Sequence, residues 1–415
     1  WDSLVELLPE RPAGAPAGVL PLAEVDPGPR QRLLTGIGEL DRVLGGGLVP
    51  GSIVLLAGEP GIGKSTLTLQ AAEGLEAAGR RALLVCGEES VEQVAARARR
   101  IGVTLGGIRA TAATELEAVL DQASGFDVVV VDSIQTMGDP ASSSEPGSVS
   151  QVRGCAGALA RFARTSGTSV VLIGHVTKEG SVAGPRVLEH VVDAVLTFEG
   201  DRAHLLRMVR ASKNRYGPTA EVGVFEMGGR GLREVADASQ LFLVDRTIGI
   251  PGSAVGCVLE GRRPLALEVQ TLVVPSNAPL PRRIANGVDG ARLGVVAAVL
   301  AERAGVRVGT ADVYASIPGG FRTAEPGLDL ALVMALASAR TNRAVPEGLA
   351  AVGEVGLGGE IRSVPGLEAR VAELARLGFD RVVVPATSSV QLPGIRLHRA
   401  RSVGNALLVL DCGVR

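Results

Sequence analysis

A chain of 415 residues is longer than one ordinary hydrophobic core organises, so two domains are expected. Hydrophobic residues make up 46% but aromatics only 2%, so the cores must be built from Val, Leu, Ile and Ala. The formal net charge of −2 excludes a global basic field that would attract nucleic acid, and no run of about 18 apolar residues offers a membrane span. In chain order, residues 1–28 are rich in Pro, Ala and Gly without periodicity and read as an arm. Residues 52–57 are a short apolar run, read as a buried strand; a glycine loop and a helix over 65–78 follow. Further strands are expected at 81–86, 127–131, 169–173 and 194–198, with helices at 91–100 and 152–165. Strands alternating with helices predict a mostly parallel sheet covered on both faces. Runs at 205–211 and 221–226 read as a hairpin on its edge. A second unit begins near Ile248, with strands at 254–260 and 265–274, helices at 291–304 and 328–339, and a strand at 381–384. The expected organisation is an arm (1–28), an α/β domain (29–246) and an α+β domain (247–415).

The chemistry concentrates in the α/β domain. Gly58-Glu59-Pro60-Gly61-Ile62-Gly63-Lys64-Ser65 matches the phosphate-loop pattern GxxxxGK[ST] in full, after a strand and at the start of a helix. Its glycines let backbone N–H groups turn toward phosphates, and the helix aims its positive end at the same anion. ATP is the expected ligand, held by residues 58–65 and Thr66, with Lys64 reaching the outer phosphates. Four valines end in Asp132, a carboxylate delivered to the carboxyl edge of the sheet. Asp132 and the Ser65 hydroxyl are the expected Mg²⁺ ligands. Hydrolysis also needs a group to orient water; Glu88 or Glu89 lies at the same edge, and Glu88 is favoured. His175 follows another strand and is a candidate sensor of the γ-phosphate.

Of the 42 cationic residues only three are lysines, Lys64, Lys178 and Lys213. Arg and Lys differ wherever a compact ammonium must fit, so the three survivors are candidate functional positions. Two loops, 137–150 and 176–185, are placed to touch a polymer. Arg153, Lys178 and Arg186 are the candidates for contacts to a nucleic-acid backbone. Lys213 and Arg215, in Lys213-Asn214-Arg215-Tyr216-Gly217, form a cationic pair far in sequence from the phosphate loop, suited to completing a neighbouring subunit's site. Cys86, Cys155, Cys257 and Cys412 form no CxxC pair, which argues against a disulfide framework or a zinc site. The opening Trp1-Asp2-Ser3-Leu4 has no basic-then-apolar leader layout, and a cytoplasmic location is expected.

Together GEPGIGKS, the VVVVDS strand, the GEES segment and KNRYG resemble the bacterial RadA (Sms) recombination-protein family. That resemblance implies a RecA-like P-loop ATPase domain followed by a Lon-protease-like (S5-like) domain. Pro281-Arg282-Arg283-Ile284-Ala285-Asn286-Gly287 and Gly353-Glu354-Val355-Gly356-Leu357 look like parts of the latter. The family's signature reads KNRFG where this chain has KNRYG. The opening residues resemble the segment following the family's four-cysteine zinc finger, so zinc is expected only in that finger, which is not among these residues. Lon-type peptidases use a Ser–Lys dyad. Here residues 324–330 contain no Ser, the matching Lys position falls near Glu368, and no lysine follows Lys213, so peptidase activity is not expected. Arg282, Arg283, Arg292 and Arg322 are candidates for a DNA-facing patch instead.

The resemblance implies a DNA-dependent ATPase of recombinational repair: a homo-hexameric ring on single-stranded DNA that promotes branch migration of recombination intermediates and works with the RecA recombinase. Lys64, Glu88, Asp132, Lys213 and Arg215 would carry the catalysis. The alternatives are a RecA-fold switch of the circadian-clock type acting on protein partners, and a scaffold that binds nucleotide without turnover.

Overall fold

The computed structural model describes residues 31–175, 185–200, 206–219, 221–276 and 280–411. The first domain runs α1 (Gly38–Leu44), β1 (Ile53–Gly58), α2 (Lys64–Ala77), β2 (Ala82–Cys86), α3 (Val91–Ile101), β3 (Arg109–Thr111), α4 (Leu116–Ala123), β4 (Val128–Asp132), α5 (Val149–Ser166), β5 (Ser169–His175), α6 (Pro185–Leu188), β6 (Ala194–Gly200), β7 (Leu206–Asn214), β8 (Val222–Gly228) and β9 (Gly231–Glu234). The nine strands form one sheet in the order β3-β2-β4-β5-β1-β6-β7-β8-β9. β1 to β6 pair in parallel and β7 to β9 add on antiparallel. The expected edge hairpin is therefore β7–β8, with β9 as a further strand.

Alternation explains why this sheet is covered twice. Val54 and Leu56 of β1 pack with the side chains of α1, α2 and α3, while Ile53, Leu55 and Ala57 pack with those of α4 and α5. Local signals set the helix ends. Ser90 and Gln93 form a reciprocal capping box on α3, and Gly102 and Gly167 take the left-handed conformation that closes α3 and α5.

The second domain continues with α7 (Ala238–Leu243), β10 (Ser253–Glu260), β11 (Arg263–Pro275), β12 (Arg283–Asn286), α8 (Gly290–Ala304), β13 (Ala311–Ser316), α9 (Asp329–Thr341), β14 (Leu349–Ala351), β15 (Glu354–Val355), β16 (Ile361–Arg362), α10 (Leu367–Arg376), β17 (Arg381–Pro385), β18 (Arg396–Ala400) and α11 (Val403–Asp411). Its seven-stranded mixed sheet has the order β12-β13-β11-β10-β14-β17-β18, and β15 pairs with β16 separately. α9 is the centre of this domain, buried from Asp329 to Ser338.

The two domains share a continuous core. Val222, Val224 and Val235 of the first pack in one cluster with Leu265, Leu267 and Phe321 of the second. α7 precedes residue 247 yet lies on β11: Phe242 meets Phe321 edge-on at 5.3 Å, and the Ala266 N–H donates to the Ser239 hydroxyl at 3.1 Å. Charged groups seal the seam. Arg263 Nη1 donates to Glu39 Oε2 at 2.6 Å, and Arg376 donates twice to Asp237 at 2.7 and 2.9 Å.

Inside the second domain, Arg370 is 1% exposed and grips Glu325 with two hydrogen bonds of 2.6 and 3.0 Å. It also donates to the carbonyls of Cys257 at 2.7 Å and Pro365 at 2.9 Å. Removing one partner of such a pair strands the rest without solvation. Arg370→Ala is therefore expected to destabilise the protein by about 3–5 kcal/mol, read as a fall in unfolding midpoint by calorimetry. Arg362→Ala, which breaks only the exposed pair with Glu360, should leave the midpoint in place.

Candidate active site

The parallel strands bring their carboxyl ends to one edge of the first sheet. Gly58 lies in register with His175, and Cys86 with Asp132. The loop after β1, the turn after β2, Asp132 and His175 therefore converge. Gly61 and Gly63 have φ of 74° and 119°, left-handed values that strain any side chain. Gly58 answers to space instead, since a Cβ there would lie 2.6 Å from the Phe198 carbonyl oxygen. Glu59, Pro60 and Gly61 form the exposed rim, with Ile62 buried beneath. α2 starts without a side-chain cap, so its first-turn N–H groups are left for an anion, and Ser65 and Thr66 sit half-buried in that turn.

Lys64 is buried. Its Nζ donates to the carbonyls of Gly58 and Glu59, both at 2.9 Å, and to His175 Nδ1 at 3.2 Å. Because the ammonium can only donate, Nδ1 accepts and His175 Nε2–H donates to Glu88 Oε1 at 2.6 Å. A chain of contacts thus joins Lys64, His175 and Glu88. Burial lowers the Lys64 ammonium from its ordinary range, opposed by the charges of Asp132 and Glu88. For Glu88, burial works upward but is outweighed by the adjacent Ser133 hydroxyl, by His175 and by the Lys64 charge, so its carboxyl lies below the usual range. Glu89 is occupied elsewhere, paired with Arg97 at 2.7 Å. The Glu88 turn is pinned by a 2.6 Å bond from the Gly87 N–H to the Asp132 carbonyl. Gly87 is required because a Cβ would fall 1.9 Å from Thr136 Oγ1.

Asp132 Oδ1 is buried without a hydrogen-bond partner among the described residues. Burial pushes this carboxyl up, with the Ser65 hydroxyl opposing. An orphaned carboxylate oxygen next to a hydroxyl fits a hard divalent cation, which would supply the missing partner. Among the described residues there is no cluster of three or more His, Cys, Asp or Glu side chains arranged for a metal, so a cation here would lean on water and phosphate oxygens.

Lys213 and Arg215 lie at the other edge of the sheet. Phe198 stands between Gly58 and Val209, whereas Lys213 pairs with Val195 and the Arg215 N–H donates to the Asp193 carbonyl. Three residues of β6, about 10 Å, separate the level of Lys213 from that of its own phosphate loop. Lys213 Nζ donates to the carbonyls of Glu189 at 2.5 Å and Val192 at 2.8 Å, and Arg215 Nη1 to Asp193 at 3.1 Å.

The candidates for nucleic-acid contact do not form one cluster. Arg153 is exposed on α5, and Arg282 and Arg283 are exposed at the β12 edge of the second domain. Lys178 and the Arg186 side chain lie outside the described residues. Arg292 is not available for a DNA patch. It bonds both oxygens of buried Asp329, Nε to Oδ1 at 2.8 Å and Nη2 to Oδ2, and donates to the Val355 carbonyl at 2.8 Å. Arg322 is exposed but also has a partner.

Three groups around the site carry no motif. Arg97 pairs with Glu89 and not with Glu88. Met227 and Leu232 of the β8–β9 hairpin cover Gly63, where a Cβ would lie 2.6 Å from Met227 Cε. Arg207 of β7 reaches the Ile62 carbonyl. Only the edge-strand pattern of β7 and β8 hints at any of them.

A family model described as an AAA domain matches residues 29–181, and one described as subunit ChlI of Mg-chelatase matches residues 313–388. The protein named DNA repair protein RadA in Brucella abortus (strain 2308) is 44% identical over 405 residues, covering 93% of this chain and 86% of its own length. Its namesake in Bacillus subtilis (strain 168) is 42% identical, covering 94% and 88%. That of Pseudomonas aeruginosa (strain PAO1) is 46% identical, covering 93% and 87%. Among solved structures, the crystal structure of the RadB recombinase aligns with 49% of this chain and 99% of its own at 24% identity, with a TM-score of 0.39.

Proposed function

Because the chain belongs to the RadA family of DNA repair proteins, we propose that it is an ATP-hydrolysing motor of homologous recombination and DNA repair. In this reading it forms a homo-hexameric ring on single-stranded DNA in the cytoplasm and promotes branch migration of recombination intermediates together with the RecA recombinase. One observation carries the assembly: the phosphate loop and the Lys213–Arg215 pair stand at opposite edges of the same sheet, so one chain presents two halves of different sites. No helix among the described residues is long and apolar enough to cross a membrane.

The roles follow from position. Residues 58–66 wrap the phosphates with backbone N–H groups. Lys64 exchanges its two carbonyl partners for outer phosphate oxygens, which releases His175 Nδ1. Bound Mg²⁺, held by Ser65 and Asp132, would neutralise phosphate charge. Glu88, ionised and not paired with Arg97, orients the attacking water. Lys213 and Arg215 of one protomer complete the site of the next. Arg153, Arg186 and Lys178 meet the DNA backbone, as do Arg282 and Arg283, and pass the nucleotide state to it through His175.

The second domain contributes to assembly or DNA contact rather than peptide hydrolysis. Glu368 is exposed, and a Cβ at Gly327 would lie 2.5 Å from Arg370 Nη1. The guanidinium of Arg370, paired with Glu325, fills the space beside Gly327.

The test is ATP turnover with and without single-stranded DNA. DNA should raise the rate severalfold, and a rate indifferent to DNA would sink the motor. Glu88→Gln should retain ATP binding but lose about 10²-fold in kcat. Glu89→Gln should lose little; equal losses from both would remove Glu88 from its role.

A further inference from the structure

We infer that Arg207 is a positioning residue for the phosphate loop, holding the Ile62–Gly63 peptide so that the Gly63 N–H faces the bound phosphates. The inference rests on reading residues 58–65 as an ATP site. Arg207 lies on β7, is 6% exposed, and pairs across the sheet with Gly200 and Phe225. Its Nε donates to the Ile62 carbonyl at 3.3 Å and its Nη1 to the Leu206 carbonyl at 2.8 Å. Gly200 makes room for the stem, since a Cβ there would fall 2.5 Å from Arg207 Cδ.

A trans peptide is planar, with its C=O and N–H pointing in opposite directions. A guanidinium that draws the Ile62 oxygen outward therefore turns the Gly63 N–H inward, toward the hollow of the loop. Gly63 has φ of 119°, outside the basins that would hold it by local preference, so the orientation depends on outside contacts. Met227 limits movement on one side and Arg207 pulls on the other. A charged donor also polarises the peptide, strengthening the N–H as a donor. The amide meets the phosphates before and during hydrolysis alike, so its loss weakens binding more than turnover.

The experiment measures ADP affinity by calorimetry, KM and kcat for ATP, and the melting temperature of nucleotide-free protein, for the parent, Arg207→Met and Arg207→Lys. Arg207→Met keeps the stem and loses the donor. It should raise the ADP Kd and the KM at least tenfold, with kcat falling less than threefold and the melting temperature kept. Arg207→Lys should recover most of the affinity. Parent-like ADP affinity in Arg207→Met overturns the role, as does equal weakness in Arg207→Lys. If Arg207→Met does not fold, Gly200→Ala decides by displacing the Arg207 stem. ADP binding weakened threefold or more supports the role, and unchanged binding overturns it. A parent that binds no ADP would instead sink the ATP site itself.

Discussion

Rings built only from Lys213→Ala subunits should hydrolyse ATP about 10³-fold more slowly than the parent, the scale on which a cationic finger acts on phosphoryl transfer. Mixing them with equally inactive Lys64→Ala subunits should restore activity. A site then works wherever an intact phosphate loop meets an intact finger from the next protomer, which in a random equal mixture is about one site in four under head-to-tail contact. The expectation follows from the sheet. Lys213 pairs with Val195 near the amino end of β6, while Gly58 lies beside Phe198 toward the other end. No side-chain movement within one chain spans that separation, and the Lys213 ammonium donates to two carbonyls of the segment before β6. Mixed rings that stay inactive, with mixing verified by mass, would confine Lys213 to a structural role. Arg215→Ala should behave in the same way, since it would remove the second positive charge that stabilises the transferring phosphate.

Lys64→Ala is the second large effect, an expected loss of about 10²–10³-fold in kcat from removing a preorganised positive group at the transferring phosphate. The side chain is buried and burial lowers its ammonium, so two carbonyls and an imidazole nitrogen hold it in place of water. Lys64→Arg should fail almost as badly. The Nζ fits between two carbonyls and an imidazole nitrogen within 3.2 Å, a compact cage that a planar guanidinium overfills. Melting curves should show both variants folded. Turnover that survived in either would mean that another cation neutralises the phosphates.

The phosphate loop was legible because its eight residues are consecutive and each glycine answers to a local demand for φ or space. The parallel sheet was legible for the same reason: runs such as 128–131 are valine throughout. Glu88 and Glu89 could not be separated with equal force, because the difference between them is Arg97, a partner supplied by the helix that follows. Arg292 departs from its expected place in a DNA-facing patch for a similar cause. Its carboxylate partner Asp329 is 37 residues away on another helix, and no pattern of spacing reveals that pair. Arg207 has no sequence signal, because its Ile62 contact exists only once β6 and β7 are in register. Strands as short as β12, β15 and β16 offered too few residues for a period to show.

The opposed placement of the phosphate loop and the Lys213–Arg215 pair on one sheet has an arithmetic consequence. Protomers joined head to tail in an open row always leave one phosphate loop unserved at one end and one finger pair idle at the other. Only closure removes both loose ends, and only then does the number of complete sites equal the number of chains. An isolated chain on this scheme holds none, so activity per chain should depend on concentration, falling on dilution as rings open.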